Sequence, residues 1–360
     1  MLMLSDRTEG RNNNLNLIRM LAATGVLVSH AWPIALGSQS IQPLVRLTGH
    51  SMGTLAVYIF FVISGFLIAA SFERSRSHTL FVASRIARLI PGIFVSVVLV
   101  ALVMGPLVTS MNPVAYLTSP DPWQFIIRNT TLVWPQFTLA GVFTDNPYPT
   151  VEGSIWTLVH EAICYVGVFV AGLLGLISRR VWGTVAILAL TLVWAILPSA
   201  VDNLHPRLLE LHKLVLPFIF GTALYLWQDR VPLSLPLAVG LVLLTALVKG
   251  TAFYEITLII ALGYATFWLA YVPRGFLLAY NRLGDYSYGI YIYAFPMQGL
   301  AVWAFGPMTP EANILWSFPP TLALSILSWH LIEKPALGAR EALAGWLSFN
   351  PVRKTKTTSD

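Results

Sequence analysis

Arg19 and His30 stand inside an apolar run, 15–36, long enough to cross a lipid bilayer. Eleven positions along a helix are about three turns, so the two side chains share one face about 16 Å apart. A guanidinium and an imidazole are costly to desolvate, and charges held in hydrocarbon face a cavity, a partner or a substrate path. The plainer alternative is an Arg that snorkels to the headgroups and a His bonded to a neighbouring helix. The imidazole suits deprotonation of a hydroxyl, because its charge changes near neutral pH. A second chemical cluster, Trp156-Thr157-Leu158-Val159-His160-Glu161, carries a carboxylate about two turns into another apolar run. A third, Ser84 to Pro91, puts Arg85 and Arg88 three apart on one helical face. They read either as anchors at the membrane surface or as a bidentate grip on phosphates. Ser64 and Gly65 interrupt Phe60 to Ile68 in mid-helix, where small residues allow helices to pack closely or a hydroxyl to act.

Elements that position these groups must be membrane helices. Of 360 residues, 56% are hydrophobic and 11% charged, with 12 Trp, which no soluble domain of this length could bury. The expected fold is an all-α polytopic membrane bundle of about ten spans, at 15–36, 54–72, 89–109, 155–177, 181–198, 212–228, 233–249, 253–271, 284–305 and 313–333. Ten spans leave both termini on one side. Sixteen Lys and Arg fall on that side and five on the other, which makes the termini cytoplasmic. The net charge of +6 follows from this asymmetry; no basic and aromatic platform for nucleic acid is present. The first span lacks a short apolar core with a small-residue cleavage site, so it reads as a retained helix.

The organisation expected is a cytoplasmic segment, 1–14, a transmembrane domain, 15–336, and a basic cytoplasmic tail, 337–360, polar and unstructured from Phe349 onward. The external segment 110–154 is dense in Pro, Gly and aromatic residues, a composition that argues for an ordered, functional loop. Cys164 is the sole cysteine and forms no internal disulfide; it reads as a packing residue.

In order along the chain, the Arg19 and His30 spacing, Phe60 to Ile68, Arg85 to Pro91, Trp156 to Glu161, Gly284 to Tyr291 and the closing Ile332-Glu333-Lys334-Pro335 resemble the acyltransferase 3 family. These integral-membrane enzymes acylate bacterial surface and secreted glycans. The resemblance spans about residues 11–336. It implies a multi-pass protein of the bacterial inner membrane that transfers an acyl group, acetyl by default, from acyl-coenzyme A to a glycan or lipid-linked saccharide, with no permanently bound cofactor and no metal. One departure is visible: where many members carry a His before the Phe or Trp and Pro of the ninth helix, this chain has Ala294.

The chemistry expected on these residues follows from depth. His30 lies about 22 Å above the cytoplasmic end of its span and Glu161 about 10 Å below the external end of its own, comparable levels in a core about 30 Å thick. The two are expected to meet, with His30 as general base and Glu161 fixing its tautomer. Arg19, Arg85 and Arg88 are expected to bind the donor phosphates, with Ser64, Trp156 and Tyr288 in support; Ser64 and His30 are the conceivable acyl carriers. The alternative from another class is a secondary transporter that uses Arg19, His30 and Glu161 as a proton or ion relay.

Overall fold

The computed structural model describes residues 2–8, 10, 12–196 and 206–348. The expected tail from Phe349 onward, and the last positions of the fifth expected span, lie outside them. Ten principal helices form: α1 (Leu15–Leu36), α2 (Met52–Arg74), α3 (His78–Val108), α4 (Ile155–Leu173), α5 (Arg180–Ile196), α6 (Pro206–Leu226), α7 (Leu235–Leu247), α8 (Tyr254–Tyr271), α9 (Ser287–Phe305) and α10 (Pro310–Ser328). Among the described residues there is no strand, only one isolated antiparallel bridge between Met3 and Pro232.

Six of these helices, α1, α2, α3, α4, α6 and α8, are long and apolar enough to cross a membrane, and α5 and α7 are apolar but shorter. Leu188, Leu192, Leu243 and Leu247 of α5 and α7 are exposed, as a lipid-facing surface requires. The third expected span begins too late: α3 starts at His78, because hydropathy marks the part of a helix that meets lipid and not the polar turns that extend it. Ser51 and Ser77 cap α2 and α3, each hydroxyl accepting the backbone N–H three residues on at 3.1 Å. A π-helical turn, Trp329–Glu333, follows α10 and turns Glu333 inward, where Ser328 Oγ donates to its Oε1 at 2.9 Å.

Helix α2 runs through the middle of the bundle. It packs against α1 on one side and against α4 and α6 on others. Its crossing with α6 is very close, since a Cβ on Gly65 would lie 2.0 Å from Phe218 O and one on Gly221 2.0 Å from Val62 O. Helix α9 is buried along nearly its whole length, between α1 and α10.

The segment 110–154 is ordered against the bundle. It contains two short helices, Pro113–Thr118 and Asp121–Thr131, and then runs without regular structure. Tyr116 OH donates to Ala101 O at 2.9 Å, Asp121 accepts from Ala140 N at 2.8 Å, and Asn146 Nδ2 donates to Gly299 O at 2.9 Å. Backbone groups satisfied in this way let an irregular segment lie against a buried surface.

Candidate active site

Two cavities hold the residues singled out by type and spacing. The first, of about 150 Å³, is lined by Arg19 of α1, Ser64 of α2, Arg85 and Arg88 of α3, Glu161 and Tyr165 of α4, and Tyr288 and Tyr291 of α9. Its arginines are not equivalent. Asp285 Oδ2 accepts from Arg19 at 2.6 Å and from Arg88 at 2.8 Å, and Arg88 Nη1 also lies 3.5 Å from Glu333 Oε2. Arg88 further stacks over Tyr288, 5.3 Å from the ring centre, while Tyr288 OH donates to Leu89 O at 2.7 Å. Two guanidinium groups and two carboxylates thus neutralise one another. Among the described residues, Arg85 has no carboxylate within ion-pair distance; it sits 5.7 Å from the ring centres of Phe81 and Tyr165, donates to Ser71 Oγ at 3.4 Å, and keeps a buried, unpartnered Nε. It is the cation of this cavity that an incoming anion meets without first displacing a carboxylate.

In the same cavity, Glu161 Oε1 accepts from Ser64 Oγ at 3.0 Å and from Tyr165 OH through a short hydrogen bond. Glu161 therefore does not meet His30, contrary to the depth argument. Helix α2 packs against both α1 and α4, and the carboxylate on α4 finds the serine of α2 instead. The Arg19, Arg85 and Arg88 set does converge, and Ser64 and Tyr288 join it.

His30 opens into the second cavity, of about 530 Å³, with Trp156 of α4, Phe295 of α9, Arg207 and Glu210 of α6, and Phe137 and Tyr148 of the 110–154 segment. Its ring meets Phe295 edge-on at 5.3 Å, and its buried Nδ1 has no hydrogen-bond partner. The ring nitrogens of His160, in the same cavity, lie 2.7 and 3.1 Å from the carbonyl oxygens of Trp156 and Arg207, which ties that imidazole to the backbone. At the position of the missing ninth-helix histidine, Ala294 is buried.

Neighbouring residues of α4 and α9 line the two cavities. Thr157 Oγ and Tyr291 OH share a short hydrogen bond and line the arginine cavity; Trp156, one residue earlier on α4, and Phe295, one turn on along α9, line the cavity of His30. Phe60 supports Tyr291 edge-on at 5.9 Å.

Asp285, Glu333, Tyr165 and Glu152 were not selected from the sequence. Three arginines in low dielectric demand counter-charge, and that demand was the available signal for Asp285 and Glu333. Glu152 lies outside the helices, 1% exposed, with Oε1 accepting from Ser154 N at 3.2 Å and Oε2 unpartnered. Burial pushes its carboxyl up to about 8.

A family model described as an acyltransferase domain matches residues 12–332. An O-acetyl transferase of Shigella phage Sf6 is 31% identical over 338 residues, which cover 90% of this chain and 96% of that protein. Nodulation protein 10 of Rhizobium leguminosarum bv. viciae is 30% identical over 379 residues, 94% of this chain and 97% of the relative. No solved structure matches the chain.

Proposed function

Since the chain belongs to the acyltransferase 3 family and is a membrane acyltransferase, we propose that it moves an acyl group, acetyl by default, from cytoplasmic acyl-coenzyme A to a sugar hydroxyl at the external face of the bacterial inner membrane. The transporter reading of the same intramembrane charges falls with that membership. The observation that carries the proposal is the division of the site into an arginine cavity and an aromatic, histidine-bearing one, lined by neighbouring residues of the same two helices, α4 and α9.

With ten spans and both termini cytoplasmic, as the Lys and Arg asymmetry supports, Arg19 lies one turn from the cytoplasmic start of α1 and His30 about two turns from its external end. The arginine cavity then serves the donor. Arg85 receives a phosphate of acyl-coenzyme A directly, and Arg19 and Arg88, held by Asp285, shape the entrance through which the pantetheine arm passes. The outer cavity serves a glycan or lipid-linked saccharide: Trp156, Phe137 and Tyr148 offer ring faces to a pyranose, and Arg207 and Glu210 offer polar contacts. His30, with an open Nδ1, takes the proton of the attacking hydroxyl. The name of the phage relative supports acetyl as the transferred group.

The test is His30→Ala in cells whose surface glycans are analysed by mass spectrometry. Acylation should fall by roughly 10² to 10⁴-fold, as for loss of a general base, at unchanged protein levels in the membrane, while purified enzyme still releases coenzyme A thiol slowly from acetyl-coenzyme A. Wild-type acylation by the variant refutes the base assignment.

A further inference from the structure

We propose that Ser64 is an acyl carrier, taking the acyl group from the thioester in the arginine cavity and holding it as an ester until the acceptor hydroxyl arrives. The proposal rests on the reading of that cavity as the donor site.

A serine inside an apolar helix ordinarily returns its hydroxyl to the carbonyl one turn back. Ser84 and Ser325 do so here, donating to Leu80 O and Thr321 O. Ser64 instead donates to the Glu161 carboxylate at 3.0 Å, the relation between a nucleophile and its base. The small-residue packing role at this point of α2 is filled by the next residue, Gly65, against Phe218, so packing against α6 does not account for the hydroxyl. Glu161 is already oriented as that base, because Tyr165 donates to the same oxygen and Arg85 lies over the Tyr165 ring. No histidine lines this cavity among the described residues, and His30 lines the other one. A thioester held beside the arginines shares its cavity with Ser64.

In the first step Glu161 takes the Ser64 proton, Oγ bonds to the acyl carbon, and the carbon–sulfur bond breaks; the coenzyme A thiolate leaves as thiol with the proton from Glu161. In the second, the acceptor oxygen bonds to the acyl carbon, the ester bond to Oγ breaks, and the acceptor's proton, taken up by His30, returns to Oγ. The sum is acyl transfer with no other reactant.

Purified full-length protein is incubated with acetyl-coenzyme A alone, quenched in acid and mapped by peptide mass. The expected result is one acetyl group on the peptide containing Ser64, formed with a stoichiometric burst of thiol. Ser64→Ala should give neither adduct nor burst, and Ser64→Cys should give a thioester adduct that neutral hydroxylamine removes. Glu161→Gln should slow the burst at least tenfold. An adduct on another side chain, or none while thiol release and cellular acylation continue, overturns the proposal and leaves the donor reading standing. No thiol release from wild-type protein together with unchanged cellular acylation refutes the donor reading itself.

Discussion

Gly65→Ala tests the helix crossing on which the position of Ser64 depends. The added methyl would lie 2.0 Å from the Phe218 carbonyl oxygen and 2.9 Å from its carbon, whereas ordinary carbon–oxygen contact is about 3.3–3.6 Å. Both obstructing atoms are helix backbone and cannot rotate away, so α2 and α6 must separate by roughly 1.3 Å to restore that contact. Separation strains the hydrogen bond from Thr222 Oγ to Gly65 O, 3.3 Å across the crossing, and thins the contact along it. Overpacking of this kind costs about 1–3 kcal/mol. Ser64 moves with α2 while Glu161 stays on α4, and a displacement of about 1 Å at a reacting group costs roughly 100-fold in rate. The expected outcome is a lowered melting temperature in detergent and a loss of acyl transfer of about two orders of magnitude at normal membrane abundance. Gly221→Ala should reproduce the stability loss, and the double variant should fall short of additivity, because one separation relieves both clashes. Gly240→Ala on α7, with no atom within 4 Å of the new methyl, is the neutral control. Wild-type melting and activity for Gly65→Ala would refute the close crossing and the placement of Ser64 that follows from it.

The three arginines should separate by function. Arg85→Lys should leave the melting temperature unchanged and raise the apparent KM for acyl-coenzyme A, since a lysine loses the planar fork; unchanged donor kinetics would reduce Arg85 to an anchor. Asp285→Asn leaves Arg19 and Arg88 to share Glu333 and should cost about 3–5 kcal/mol, as for a broken buried pair, read as a large fall in thermal stability; a stable variant would show that the cluster is hydrated. Glu152 gives a pH signature. Its carboxyl is raised in the folded state from an ordinary 4.5 to about 8, so its contribution is fully present below the unfolded value and is lost as pH climbs toward 8. Wild-type melting temperature should therefore decline between about pH 5 and pH 8, and Glu152→Gln should flatten that decline; parallel profiles would place Glu152 in contact with water.

The sequence by itself settled what depends on one helix at a time. Hydropathy located all ten helices, and gave α1 its bounds, because bilayer thickness fixes how long an apolar run must be and 1.5 Å per residue fixes how deep each side chain lies. The family was legible for the same reason: its motifs are local and come in order. The convergence of Arg19, Arg85 and Arg88 was also within reach, since each sits near the same end of its helix. What a single helix cannot specify is its azimuth and its neighbours. His30 and Glu161 were placed at matching depth and still do not meet, because α2 packs against both α1 and α4 and its Ser64 takes the carboxylate. Asp285 and Glu333 were in view as motif letters, yet only the docking of α9 and the π-turn after α10 against α3 made them counter-charges for Arg88. Glu152 gave no signal in one dimension; its burial is the work of the 110–154 segment folding onto the bundle. Depth in a membrane is a property of the chain's own hydrophobicity, whereas the partner of a buried charge is decided by which helices pack side by side, and that choice is made by small residues such as Gly65 and Gly221 at the crossings.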